Sequence, residues 1–386
     1  MHIGSILIYG GSFDPPHIGH TRLLGAAIRK LNPDIVYLLP AYHSPFKGLP
    51  VTSFMERSRM MRLAVAEKLS RRMRRIIRIH PFEMLRGRTT YTYQSIRYFR
   101  RRHPGAKIYL LIGSDCLAQF NKWRKPREIA KSCTIVVGRR IPCPGRISFG
   151  GEKFNFDVLP GWFPCASSSS LRKDIFSGAM PSKLMASSVR GYMLRKGLYG
   201  INIQKWLKKH LPARRFRHTL VVTGLAQELA SRYDVDLNTA AMAALLHDAG
   251  KGLSAEGLIK YVRGSRICAP ECLDTIRNQP ALLHPYVGAD IARRIFGVTN
   301  PGILSAIRLH TLGTEKMSIL DKIIYIADIA SEDRNFPRAR TIRRLAFKDL
   351  DGALLIAAGE KLQYVLAGEK WMHPSGVKLW NRLNRK

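Results

Sequence analysis

The chain has 386 residues, 46% of them apolar, and carries 64 Lys and Arg against 27 Asp and Glu, a formal net charge of +37. That length exceeds one ordinary core and fits two domains, the apolar content excludes a disordered chain, and no stretch approaches the roughly 20 apolar residues of a membrane span. The first 200 residues hold 35 basic and 10 acidic side chains and the remainder 29 and 17, so both parts favour polyanionic ligands.

Arginine-rich solvated faces account for runs such as Arg71-Arg72-Met73-Arg74-Arg75 and Arg100-Arg101-Arg102. A nucleic-acid contact is the alternative reading of the same charge. Six scattered cysteines (Cys116, Cys133, Cys143, Cys165, Cys268, Cys272) lack framework spacing. They predict free thiols in a reducing cytoplasm, with the Cys268/Cys272 pair a weak metal signal. The N-terminus has no basic region ahead of its apolar run, so no signal peptide is expected.

In chain order, the β-branched run Ile3 to Tyr9 predicts a buried first strand, and Thr21 to Leu31 predicts an amphipathic helix. Between them stands Gly10-Gly11-Ser12-Phe13-Asp14-Pro15-Pro16-His17-Ile18-Gly19-His20. A strand, a glycine turn and a helix start aim backbone N–H groups at an anion, and His17 and His20, three residues apart, would face the same anion. Further apolar runs at Ile35–Pro40, Ile76–His80, Ile108–Ile112, Thr134–Val137 and Phe156–Leu159 alternate with helical segments. The pattern predicts an α/β doubly wound parallel sheet, whose ligands sit beyond the carboxyl ends of the strands. Lys47, Gly113-Ser114-Asp115 and Ser167-Ser168-Ser169-Ser170-Leu171-Arg172 all follow such strands, the last as a second phosphate cradle.

The tetrapeptide His17-Ile18-Gly19-His20 also occurs in class I aminoacyl-tRNA synthetases, and Lys316-Met317-Ser318 looks like half of their second signature. That reading fails because the second stretch falls in an all-α segment and no room remains for anticodon recognition. Residues 1–200 instead resemble bacterial nicotinate-nucleotide adenylyltransferases. The resemblance rests on Gly10 to His20, Ser44-Pro45-Phe46-Lys47, Thr90-Tyr91-Thr92, Gly113-Ser114-Asp115 with Trp123, Ser167 to Arg172 and the ending Tyr192…Gly197-Leu198-Tyr199. It implies a Rossmann-like nucleotidyltransferase that joins ATP and nicotinate mononucleotide, with Mg2+, into deamido-NAD and pyrophosphate by direct attack of one phosphate on another.

The same resemblance implies roles. His17 and His20 would stabilise the α/β-phosphates, Arg172 and the N–H groups near Ser168 would hold the departing pyrophosphate, Asp115 would bind a ribose hydroxyl, and Trp123 would stack on the pyridine ring. Gly10, Gly11, Ser12, Phe13, Lys47, Thr90 and Ser114 complete the nucleotide-binding set. Three positions depart from the family pattern: Phe46 stands where a histidine is common, Gln94-Ser95 where Asp-Thr is common, and Ala166 where Ile is usual. The missing histidine is expected to affect rate rather than reaction type. Phosphopantetheine adenylyltransferase is the competing assignment, disfavoured by Pro15-Pro16 and Trp123.

From Ile203 strand signals give way to helical periodicity, as in Thr219–Tyr233 and Thr239–His247. His218, His247-Asp248, His284, His310 and Asp328 are spread along these helices. A single histidine is more often structural than a ligand. The adjacent His247-Asp248 after an apolar helix, and a carboxylate inside the apolar segment Ile323–Ala330, shift the reading toward bound cations. His218, His247, Asp248 and Asp328 make one metal site and His284 with His310 would complete a second, two ions that suit phosphoanhydride hydrolysis.

Residues from about 205 onward resemble HD-domain symmetrical diadenosine-tetraphosphate hydrolases of the YqeK type. Arg215-Phe216-Arg217-His218-Thr219, Ala243 to Asp248, His284 to Ala289, Ala306 to Thr311, Ala327-Asp328 and Glu332-Asp333-Arg334 carry the match. It implies an all-α HD domain, iron or another divalent metal, and cleavage of diadenosine tetraphosphate to two ADP. Asp248 would be catalytic as well as a ligand, and Lys251 and Arg334 would hold phosphates. The expected organisation is therefore two fused enzymes, residues 1–200 and 201–386. The alternatives are a phosphohydrolase acting on another nucleotide, or an RNA-binding protein with relic sites, a reading the intact ligand set opposes.

Overall fold

The computed structural model describes residues 3–42, 51–140, 147–149, 152–154, 156–267 and 271–384. The chain divides into two compact units, Met1–Arg172 with Pro181–Lys196, and Lys173–Met180 with Gly197–Lys386. The expected change of domain at residue 200 lies near the third and last crossing, at Lys196/Gly197, while the segment 173–180 joins the helical unit.

The first unit is built on a parallel sheet of β1 (Ser5–Gly11), β2 (Ile35–Pro40), β3 (Ile77–Ile79), β4 (Lys107–Gly113), β5 (Thr134–Arg139) and β8 (Asp157–Trp162), in the order β3-β2-β1-β4-β5-β8. Between β5 and β8, the three-residue strands β6 (Ile147–Phe149) and β7 (Glu152–Phe154) pair as an antiparallel ribbon that the sequence pattern did not predict. The strands are buried on both faces, which is why they read as continuous apolar runs. Leu7 and Tyr9 of β1 pack with Val36, Leu38 and the helix residues Leu23 and Leu24 on one side. Ile6 and Ile8 pack with Tyr37, Leu39, Ile96 and Phe99 on the other.

Most strand ends differ from expectation by one or two residues, and three differences bear on the site. β1 runs on through Gly10 and Gly11, so the turn begins at Ser12. The first helix starts at Ile18 rather than Thr21, because His17 and His20 form its capping box. The last strand is displaced to Asp157–Trp162 because the β5–β8 register shifts between Val137 and Arg139, bringing Arg139 opposite Trp162. The strand order reverses between β1 and β4, and that switch point sets the crevice at their carboxyl ends.

Every element of the second unit is helical among the described residues. Its centre is the Leu237–Leu246 helix, in which Ala240, Ala241, Ala243, Ala244, Leu245 and Leu246 are buried. A helix apolar on all sides must be enclosed, and Ala213–Arg232, Pro301–Leu309 and Ile319–Ala330 enclose it. The short turn after it approaches the start of the His284–Phe296 helix so closely that a Cβ on Gly250 would lie 2.4 Å from the His284 carbonyl oxygen. Only glycine fits there. Among the described residues, no helix is long and apolar enough to cross a membrane.

Candidate active sites

In the first unit the turn after β1 is held by a buried network. Asp14, joined to Pro15 by a cis peptide bond, accepts hydrogen bonds from the Val51 N–H (2.7 Å) and the Thr52 hydroxyl (2.6 Å). Buried Arg57 donates to the Ser12 carbonyl (2.9 Å) and the Thr52 carbonyl (3.2 Å). The turn thus presents His17 and His20, both buried, with rings stacked at 3.6 Å and the His20 ring edge-on to Phe13 at 5.0 Å. The His17 N–H donates to Nδ1 of His20 (3.1 Å), which places the proton of the neutral His20 ring on Nε2.

The helix after β8 meets this turn. The Ser168 hydroxyl donates to the Pro15 carbonyl (2.9 Å), and Arg172 donates to the Asp14 carbonyl (2.6 Å) and the Ser169 hydroxyl (3.3 Å). At the end of β4, buried Ser114 accepts from the Arg140 N–H (2.9 Å), while the half-exposed Asp115 carboxylate lies 3.5 Å from the Arg140 guanidinium. A Cβ on Gly113 would lie 2.1 Å from Asp115 Oδ1, so a larger residue there would have to push the Asp115 carboxylate aside. The Thr90 and Trp123 segments meet through the Arg124 guanidinium, 4.9 Å from the Tyr91 ring centroid. Trp123 itself is half-buried and packs on Phe120, and the Thr90 hydroxyl donates to the Arg88 carbonyl. Lys47 and Phe46 lie outside the described residues.

Gln94, one of the departures, has a local use: its side-chain oxygen accepts from the Tyr91 N–H (3.0 Å) and caps the Thr92–Arg102 helix. The Asp14–Arg57 latch escaped the sequence reading. Its one signal was an arginine at helical spacing with Met60, Met61 and Ala64 on the apolar face of Phe54–Lys68.

Beside this latch, burial pushes the Glu83 carboxyl up to about 7, against the Tyr42 N–H bond and the Arg57 charge. A raised carboxyl pKa contributes stability in full below the unfolded value and loses it as pH rises through the folded value. Glu83→Gln is therefore expected to leave unfolding of the first unit unchanged at pH 4 and to stabilise it at pH 8, by about 3 kcal/mol at most. Thermal unfolding at both pH values checks this, and an equal shift at both would contradict it.

In the second unit the six expected ligands come together. His218, His247 and Asp248 form one buried group, and Asp248, His284 and His310 form another, with the ligand atoms of each group within 4.8 Å of one another. Asp328 Oδ1 lies 3.0 Å from His218 Nε2 and 3.9 Å from His247 Nε2. Three histidines are oriented alike: Nδ1 of His247, His284 and His310 donates to the carbonyl three residues earlier, at Ala244 (2.6 Å), Ala281 (2.6 Å) and Ile307 (2.7 Å). Each neutral ring therefore turns a bare Nε2 lone pair into the cluster, the tautomer a metal takes. For His218 the orienting group is the Asp333 carboxylate, 2.8 Å from Nδ1.

This donor set fits cations. The Nε2 atoms of His284 and His310 face each other at 3.1 Å, with Asp248 Oδ1 at 3.4 and 3.5 Å. Thr311 Oγ1 reaches both nitrogens but has a single proton to offer. His247 Nε2 is buried without a hydrogen-bond partner. Burial holds His284 down to about 3 and also lowers His310. Burial resists charging of His247 too, but the Asp248 and Asp328 carboxylates outweigh it and raise its pKa. Both carboxylates sit well below their usual range despite burial, Asp248 through His247 and Asp328 through His218, Lys361 and Arg334. Lone pairs and ionised carboxylates converging in a buried space call for divalent metal.

The cluster opens on a cavity of about 1100 Å³ lined by Arg215, Lys251, Arg334 and Lys361 and, beyond them, by Phe336, Tyr364 and Trp371. Arg215 donates to Asp248 (3.0 Å), and Arg334 donates to Asp328 (2.6 Å) and to His218 Nε2 (3.1 Å). Burial lowers the Lys251 pKa, with Asp248 opposing. Arg215 and Lys361 were not among the expected site residues. Lys316-Met317-Ser318 leads into a helix of the second unit: Ser318 caps Ile319–Ala330 in a capping box with Asp321. Cys143 and Cys268 lie outside the described residues, and Cys133, Cys165 and Cys272 are free thiols.

Fold and sites together define a cytidylyltransferase-like nucleotidyltransferase domain, matched over residues 8–174, and an HD domain, matched over 215–333. Over 332 residues the chain is 31% identical to the probable nicotinate-nucleotide adenylyltransferase/Ap4A hydrolase of Mycoplasma genitalium, covering 85% of this chain and 88% of the relative. The chain belongs to this family of fused adenylyltransferase/Ap4A hydrolase proteins. Each half also has separate relatives. The symmetrical bis(5'-nucleosyl)-tetraphosphatase of Bacillus subtilis is 33% identical over 46% of this chain and 93% of its own length. The probable nicotinate-nucleotide adenylyltransferase of Aquifex aeolicus is 35% identical over 35% of this chain and 76% of its own.

Proposed function

We propose that the first unit transfers the adenylyl group of ATP to nicotinate mononucleotide, giving deamido-NAD and pyrophosphate, and that the second hydrolyses diadenosine tetraphosphate to two ADP. The observation that supports this reading is a polar cluster in each unit: the stacked His17/His20 pair with Ser168 and Arg172 against the same turn, and the six candidate ligands under a basic cavity. In the first, His17, His20 and Arg172 hold phosphate oxygens in line while charge develops, with Mg2+ accompanying ATP. Gly10, Gly11, Ser12, Phe13, Lys47, Thr90 and Ser114 shape the nucleotide site, Asp115 takes a ribose hydroxyl, and Trp123 offers its exposed face to the pyridine ring.

In the second unit, His218, His247, Asp248, His284, His310 and Asp328 hold two divalent ions, iron by preference. Bound there, such ions supply an activated water and neutralise phosphate charge. Arg215, Lys251 and Arg334 line the cavity as phosphate holders, and Phe336, Tyr364 and Trp371 give two adenine rings apolar faces to stack on. The two halves share adenine nucleotides as their chemistry.

The test is a substrate screen on the purified chain. With ATP and Mg2+, pyrophosphate is expected mainly with nicotinate mononucleotide rather than nicotinamide mononucleotide or phosphopantetheine. Loaded with Fe2+ or Mn2+, the protein is expected to convert diadenosine tetraphosphate to ADP alone. Preference for another acceptor, or for another nucleotide, would reassign that half. Tight RNA binding with neither activity would replace the whole reading.

A further inference from the structure

Lys361 stands on the Leu350–Ala367 helix, 28 residues beyond the segment that matches the HD family. Its side chain is only 22% exposed and ends inside the metal-ligand cluster. The Nζ donates to the carbonyls of His310 (2.8 Å) and Thr311 (3.1 Å), lies 3.6 Å from the Tyr325 ring centroid and stands 3.9 Å from Asp328 Oδ2. The first two contacts satisfy carbonyls just past the Pro301–Leu309 helix, where the backbone has no helical partner and the dipole favours a cation. The last faces Asp328 Oδ2, the carboxylate oxygen turned away from Arg334 and His218, both of which lie against Oδ1.

The ammonium therefore touches both halves of the cluster: His310, from the group built on Asp248 and His284, and Asp328, which pairs with His218. We infer that Lys361 is a positioning residue that clamps His310 and Asp328 into one metal-binding geometry, a role supplied by a helix outside the HD segment. A lysine serves here because one group must satisfy two carbonyls and balance a carboxylate at once, using three tetrahedral N–H bonds. The inference rests on the divalent-metal reading of this unit.

The test uses the full-length chain stripped of metal and titrated with Mn2+, reading bound ions per chain by elemental analysis and affinity by calorimetry. Lys361→Met is expected to weaken Mn2+ binding about 10- to 100-fold, the usual effect of removing a residue that orients ligands. Lys361→Gln keeps a donor for the carbonyls but no charge for Asp328, and is expected to fall between Met and wild type. Thermal unfolding of the metal-free variants separates positioning from a purely structural role. A drop in stability with wild-type Mn2+ affinity would overturn the inference, and so would wild-type affinity in both variants. If Lys361→Met fails to fold, Lys361→Gln alone decides in the same way. A wild-type chain that binds no Mn2+ would overturn the metal reading itself, a distinct result.

Discussion

Replacing His247 by alanine is expected to abolish release of ADP from diadenosine tetraphosphate, by about 1000-fold or more, while pyrophosphate release by the first unit continues at its wild-type rate. His247 is fully buried, its Nδ1 is committed to the Ala244 carbonyl, and its Nε2 points at Asp248 (3.5 Å) and Asp328 (3.9 Å) without a hydrogen-bond partner. Its removal leaves two ionised carboxylates facing a space with one neutral donor fewer, so both metal affinity and the charge balance of the cluster suffer. Metal content by elemental analysis, ADP formation and pyrophosphate release, measured on one preparation, check the prediction. Hydrolysis that survives with full metal content would remove His247 from the ligand set. Loss of both activities would show that the two sites do not work independently.

Much of the fold was legible because parallel strands buried on both faces, such as Ile6 to Tyr9 and Val36 to Leu39, have no polar alternation to disguise them. The errors fell where local pattern carries little information. The β6–β7 ribbon has strands of three residues each, and the displaced β8 follows from a register shift in its neighbour. The six clustered His and Asp residues of the helical unit were legible as candidate ligands, but the groups that aim them were not. The carbonyls of Ala244, Ala281 and Ile307 belong to every residue type equally, so no sequence signal marks them. Lys361 and Arg57 did leave a signal, a basic residue on an apolar helix face, yet composition this rich in arginine and lysine hides such residues among many solvated ones. Gln94 shows the reverse case: read as a departure from a family pattern, it caps a helix.

Replacing His20 by asparagine is expected to lower adenylyl transfer about 100- to 1000-fold with little effect on the stability of the first unit. His20 caps its helix, and the phosphate-binding role proposed for it would use a different atom. Its Nδ1 accepts from the His17 N–H and closes the capping box, while the neutral ring keeps its proton on Nε2 for an anion. An asparagine Oδ1 stands close to where Nδ1 stood, so the cap persists, but the amide does not reach where Nε2 reached. His20→Ala loses both functions and is expected to lose a comparable rate plus about 1 kcal/mol of stability. The His17/His20 pair would act through ring N–H donors fixed on a helix start that already favours an anion. Pyrophosphate release and thermal unfolding of the two variants measure the two jobs separately. Wild-type turnover in His20→Asn would assign the ring a capping role only and leave phosphate stabilisation to His17, Arg172 and the backbone of the turn.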